Sequence, residues 1–123
     1  MSSIRCRCGA RIADNEDSLP YKGHVMRDRD WDDFLNWEFE AADYLKAVSA
    51  GKRSEWITER FGSQYPQEMD DREVINDIIT SSTYMKYLNI FQCTACGRLW
   101  LQRPGLQKFL SFRPEDEDWQ DAL

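Results

Sequence analysis

Residues 90–100 read "IFQCTACGRLW": two cysteines two residues apart, a glycine directly after, and strand-forming apolar residues on both sides. A tight turn of this form directs two thiolates and its backbone amides toward one point, and the glycine relieves crowding where the chain reverses. Cys93 and Cys96 are half of a closed tetrahedral site, which needs four ligands. The remaining cysteines lie in "SIRCRCGARI", residues 3–12, where Cys6 and Cys8 again precede a glycine and stand between Ile4 and Ile12. Two such knuckles predict one structural Zn2+ per chain, held by Cys6, Cys8, Cys93 and Cys96. The C-x-C half is tighter and less common than C-x-x-C.

Other uses of four cysteines compete with this one. A disulfide framework suits an exported chain, and no apolar signal segment opens this one. A redox C-x-x-C calls for a βαβ setting, whereas the residues after Cys96 read as strand and turn. Four unrelated buried thiols leave the matching Cys-Gly turns unexplained. The 84 residues between Cys8 and Cys93 exceed the usual spacing of about 15–20. Loop-closure entropy grows only logarithmically, so the extra length costs roughly 1.4 kcal/mol. Structural zinc contributes about 10–16 kcal/mol in peptide systems. Spacing does not oppose the site.

The chain has 123 residues, 41% of them apolar, with five Trp, five Tyr and six Phe, which suits one globular domain spanning 1–123. No apolar run approaches the roughly 20 residues of a membrane span, so a cytoplasmic protein is expected. The net charge of −6 is unevenly spread. Residues 1–27 carry +2 and residues 84–113 carry +5, while residues 28–83 carry −8 and the tail 114–123 carries −5. The cysteine-bearing segments are basic and the rest acidic, which bears on partners and not on fold.

Between the knuckles, "DNEDSLPYKGH" has the composition of turns. Residues 31–48 then have helical periodicity, with Asp30 as N-cap and Gly51 just past the end. Trp31, Phe34, Leu35, Ala41, Ala42, Leu45 and Val48 fall in one apolar sector at 100° per residue, and Glu38 projects into its middle. A shorter helix is expected over 55–61. Another starts after Asp70, where Glu73 completes a capping box and Val74, Ile75, Ile78 and Ile79 form the stripe. From Tyr84 the period changes: "YMKYLNIFQ" and "GRLWLQ" read as a hairpin, and "RPGLQKFLSF" adds a turn and a third strand. The sequence closes on an acidic tail, 114–123, in which Trp119 is the residue expected to dock it. The expected architecture is α+β, a zinc ribbon with a helical insertion at about 28–83.

Four cysteines leave a zinc ion no open position for water, no phosphate-binding glycine loop occurs, and Ser81 and Ser82 have no evident base. A non-enzymatic protein is expected. His24, the single histidine, reads as a loop residue at the surface, with a structural hydrogen bond or a place in the metal site as alternatives. Opposite the apolar sector of the long helix lie Asp32, Asp33, Asn36, Glu40 and Asp43, flanked by Trp37 and Tyr44. Those aromatics either close the core's edge or, with the acids, form a patch of the kind that anchors protein partners.

Arg5, Arg7, Arg11, Arg98, Arg103, Lys108 and Arg113 would suit nucleic acid, but the acidic insertion and tail would repel phosphate. Four thiolates and one Zn2+ add a further −2. Basic side chains that neutralise the helices and metal site internally would leave an acidic outer face for a basic protein.

"CRCGARIADNEDSLPYKGHVMRDRDWDDFL" and "IFQCTACGRLWLQ…SFRPEDE", with "LPYKGH" and "CGRLW", resemble a group of small bacterial zinc-ribbon proteins associated with immunity to secreted interbacterial toxins. The likeness spans residues 4–35 and 90–117. It implies a cytoplasmic protein that binds a cognate toxin domain and occludes its active site. Only Cys6, Cys8, Cys93 and Cys96 transfer, as zinc ligands. A regulator that contacts nucleic acid or the transcription machinery is the alternative, and a metal-binding part of a larger complex is a third.

Overall fold

The computed structural model describes residues 2–83 and 86–123, which form six strands and four helices. They fall into two compact units, Met1–Met26 with Tyr87–Leu123, and Arg27–Lys86. No described helix is long and apolar enough to cross a membrane.

In the first unit, β1 (Ser2–Arg5) and β2 (Arg11–Asp14) pair antiparallel, with Ile4 opposite Ile12 and Arg5 opposite Arg11. Side chains alternate along a strand, so the isoleucines share one face of this hairpin and the arginines the other. The second sheet is antiparallel in the order β3 (Lys22–Met26), β4 (Tyr87–Gln92), β5 (Leu99–Gln102) and β6 (Phe109–Phe112). The hairpin around "CTACG" and the strand after Pro104-Gly105 stand as the alternating pattern requires. Tyr84 and Met85, where the sequence starts the first strand of that hairpin, lie outside the described residues.

β3 corrects the turn reading of residues 14–24. Pro20 and Gly23 give the stretch the composition of a loop, yet Lys22–Met26 pairs with β4 in full register, from Lys22 opposite Phe91 to Met26 opposite Tyr87. His24 is therefore a strand residue, exposed, with its ring 4.6 Å from that of Tyr87 in an edge-to-face contact. The pairing also brings the two ends of the intervening segment together at Met26 and Tyr87. Cys6, Ile12, Phe91 and Cys93 are the buried centre, with Ile4, Ala10, Tyr21, Cys96, Trp100 and Phe109 packed around them.

In the second unit, α1 (Asp28–Leu35), α2 (Trp37–Ser49), α3 (Arg53–Phe61) and α4 (Asp71–Thr83) build a separate core of Tyr44, Ile57, Val74 and Ile78. The capping box of α4 forms as its sequence indicates. Glu73 N–H donates to Asp70 Oδ1 at 2.8 Å, and Asp70 N–H to Glu73 Oε2 at 3.1 Å. Val74 and Ile78 are fully buried, while Ile75 and Ile79 are half-buried.

The single helix over 31–48 is instead two helices that meet at Asn36. Asn36 keeps helical dihedrals (φ −60°, ψ −16°), but its N–H turns to Asp33 O, three residues back. Such tightening shifts the phase of the residues after it. Asp30 is not the N-cap either. The helix begins three residues earlier, at Asp28 with Arg27 at the cap position, and Asp30 accepts a hydrogen bond from Arg27 Nε at 2.8 Å inside the first turn.

In α2 the buried stripe is Trp37, Ala41, Tyr44 and Val48, roughly 80° round from the sector read off 31–48 at 100° per residue. Two large aromatic rings outcompete Ala42 and Leu45 for the core because they remove more apolar area from water. The Tyr44 hydroxyl is also satisfied there, donating to Asp71 Oδ1 and accepting from Arg53 Nε at 2.9 Å. Hydrogen bonding from Tyr44, and then from Arg53, holds the Asp71 carboxyl below its ordinary range. Glu38 is thereby explained: the side of the helix it shares with Ala42 and Leu45 is not the buried one, and all three are exposed.

Candidate metal centre

Cys6 and Cys8 lie in the β1–β2 turn, which closes through Cys6 N–H to Ala10 O at 2.8 Å and Gly9 N–H to Cys6 O at 2.9 Å. Cys93 and Cys96 lie in the β4–β5 turn, closed by Gly97 N–H to Cys93 O and Cys93 N–H to Arg98 O, both at 2.9 Å. Gly9 (φ +97°) and Gly97 (φ +80°) occupy the left-handed region, which explains why each knuckle places glycine directly after its second cysteine.

The turns bring all four sulfurs within 4.8 Å of one another. Cys6 Sγ is 3.5 Å from Cys96 Sγ, and Cys8 Sγ is 3.6 Å from Cys93 Sγ. A tetrahedron with metal–sulfur bonds of about 2.3 Å has edges of about 3.8 Å. The four free thiols fit a metal ion, and His24 is not among the clustered residues.

The surroundings favour anionic sulfur unevenly. Burial raises the Cys6 pKa, but the Cys8 amide, the Trp100 indole and the neighbouring thiols outweigh it and bring it to about 6. Burial likewise acts on Cys93, where the amides of Ala95 and Cys96 do not compensate and the thiol is pushed up to about 12. At Cys96, burial is overcome by the Arg98 amide and by Arg98 Nη1, which donates to its sulfur at 3.3 Å. Trp100 Nε1 is buried and completes no hydrogen bond, although it leans on the Cys6 sulfur. An unsatisfied donor beside crowded thiols is what a metal-bound thiolate, a stronger acceptor, would relieve. The metal would displace the thiol protons and end their competition.

Trp119 closes one side of the knuckle. Its carbonyl accepts from Gln92 Nε2 at 2.9 Å, and a Cβ on Gly97 would overlap its ring. The tail is docked by Trp119, as its sequence suggests. Gly97→Ala should combine left-handed strain with displacement of that ring, and cost about 1–3 kcal/mol. A lowered melting midpoint with a red shift in tryptophan emission is expected. An unchanged melt and spectrum would remove Trp119 from this position.

The other candidate residues do not form one helical face, because the joint at Asn36 divides them. Asp32 and Asp33 lie in the second half of α1, Asn36 lies at the joint, and Glu40 and Asp43 sit on α2. Asp33 pairs with Lys86 at 3.5 Å and Glu40 with Arg60 at 3.0 Å, whereas Asp32 and Asp43 make no ion pair among the described residues. Tyr44 is fully buried and Trp37 packs on the same core, so both leave the candidate surface. What composition could not indicate is which aromatic of α2 faces water: it is Phe39, 65% exposed.

The basic residues also differ from expectation. Arg7 donates to Ser111 Oγ and Arg98 to Cys96, but none of Arg5, Arg7, Arg11, Arg98, Arg103, Lys108 and Arg113 forms an ion pair with a carboxylate among the described residues.

Fold and site together define an α+β protein in which two glycine turns gather four thiols at metal-binding distance. The chain belongs to the family described as Domain of unknown function (DUF8617), whose model matches residues 2–116. No curated protein and no solved structure matches it.

Proposed function

We propose that this chain is a non-enzymatic protein-binding module, folded around a structural zinc ion in a zinc-ribbon-like unit, whose acidic helices engage a basic protein partner. The metal is taken as zinc because four thiolates in a tetrahedron suit its preferences and close the site to substrate. The observation that carries the binding reading is the charge of α1 and α2. Among their residues, Asp28, Asp32, Glu38 and Asp43 form no ion pair among the described residues, and Asp32, Glu38 and Asp43 are exposed or nearly so along the two helices. Charge held unpaired in this way steers and selects an oppositely charged partner.

The sequence likeness to immunity proteins makes a toxin domain, bound and neutralised in the bacterial cytoplasm, the partner of choice. The test is co-purification with the product of the adjacent gene, followed by affinity measurement. Asp32→Lys with Asp43→Lys, at positions without partners in the chain, should weaken binding roughly tenfold or more, mainly through slower association. Equal affinity in that double variant would move the interface off these helices.

A regulator that contacts nucleic acid through its basic strands is the second reading, and the arginine pair favours it. Arg5 and Arg11 stand directly opposite each other, exposed, without carboxylate partners among the described residues. Like charges so placed destabilise a hairpin. Salt-dependent binding to DNA or RNA, lost in Arg5→Ala with Arg11→Ala, would favour this reading over the first.

A further inference from the structure

Helix α2 has two apolar faces. One carries Trp37, Ala41, Tyr44 and Val48 into the helical core. On the other, Phe39, Ala42 and Leu45 recur at three-residue intervals and are exposed, Phe39 by 65% and Leu45 by 54%. At 100° per residue Phe39 lies opposite the buried stripe, and Ala42 and Leu45 connect it to the stripe's edge. No member of this second face belongs to the buried cluster of the helical unit. Single exposed apolar residues are ordinary, but a phenylalanine and a leucine spaced along one helix are a patch.

Its borders limit what can cover it. Glu38 and Asp43 interleave with it, both exposed and unpaired among the described residues, and Lys46 is the single base of α2. A second copy would bring the same acidic helices against each other, and phosphate or an anionic lipid surface would be repelled in the same way. A surface with cationic side chains around an apolar pocket matches both features.

We infer that Phe39 and Leu45 are the apolar anchors by which α2 docks a basic protein surface, with Glu38 and Asp43 as the charged rim. This rests on the protein-binding reading above and specifies its contact. The arrangement is an aromatic centre that supplies affinity, surrounded by charges that select the partner.

The test uses the full chain and an amphipathic helical peptide of leucine and lysine about five turns long, with a leucine–glutamate peptide as control. The leucine–lysine peptide should bind and the leucine–glutamate peptide should not. Phe39→Ser with Leu45→Ser should weaken binding at least tenfold, while the melting midpoint holds and the chain stays monomeric. Phe39→Ser alone should give a smaller loss in the same direction. The inference is overturned if the basic peptide fails to bind at about 100 μM, or binds the double variant equally. A midpoint lowered by several degrees would overturn it too, by showing that the face is buried in the folded chain. Self-association of the unmodified chain, abolished in the variant, would assign the face to a second copy instead. A partner bound with unchanged affinity by the double serine variant, yet lost in the Asp32→Lys, Asp43→Lys variant, would sink this inference and leave the broader reading intact. Peptide binding without binding of the adjacent gene product would do the reverse.

Discussion

Purified protein should contain one zinc per chain, and stripping that metal should unfold the β-sheet unit. Metal binding by four thiolates contributes about 10–16 kcal/mol in small zinc domains, comparable with or larger than the roughly 5–15 kcal/mol that separates folded from unfolded states in most domains. Cys6 and Cys93 are themselves two of the four buried residues at the centre of that unit. The metal would therefore stand where a larger domain would place apolar side chains. Cys6→Ser and Cys96→Ser should destabilise to a similar degree, because each removes one of the four ligands and one knuckle cannot hold the ion. Trp100 and Trp119 report the loss by fluorescence. Much of the helical circular dichroism should survive, since the core of Tyr44, Ile57, Val74 and Ile78 uses no thiol. Elemental analysis that finds no metal in a protein with an intact fold would refute the site. A Cys6→Ser variant with an unchanged melting midpoint would refute the paired knuckles.

Tyr44→Ala should cost about 3–5 kcal/mol, the range for truncating a buried aromatic ring. The ring is fully buried, and Trp56 packs against it edge-to-face at 5.0 Å. Its loss would also leave Asp71 and Arg53 without their shared hydroxyl. Tyr44→Phe keeps the ring and removes only that hydroxyl, so a smaller loss of about 0.5–1.5 kcal/mol is expected. Partner affinity should be unaffected by Tyr44→Phe, since the hydroxyl faces inward. Chemical denaturation of the two variants separates the contributions. If Tyr44→Ala were tolerated without loss of stability, the helical core would not be built as described.

The metal centre and the helical core were legible in the sequence to different degrees. The metal centre was legible because its chemistry is local: each pair of thiols needs only a turn, and a turn with its glycine is written in about five residues. The capping box Asp70–Glu73 and the strands around Cys93 and Cys96 were legible for the same reason. β3 was not, because Lys22–Met26 is a strand only by pairing with β4, which is distant along the chain.

The helices show the limit most clearly. Residues 31–48 carry enough apolar side chains for two competing sectors, and periodicity alone favours the one through Leu45 and Ala42. Packing chose the other, because Trp37 and Tyr44 bury more area and Asp71 and Arg53 are positioned to satisfy the tyrosine hydroxyl. That choice left Ala42 and Leu45 exposed together with Glu38, and moved the proposed interface from Trp37 and Tyr44 to Phe39 and Leu45.

The sequence by itself determined the set of four thiols, the glycine turns that gather it, the helical character of the middle and its acidic charge. Tertiary structure alone decided which face of α2 is core, which carboxylates are paired, and that Trp119 rests on the metal knuckle. The division has a physical cause. Ligand spacing, caps and turns are set by covalent neighbours, whereas burial is a competition among side chains that meet only once the chain has folded.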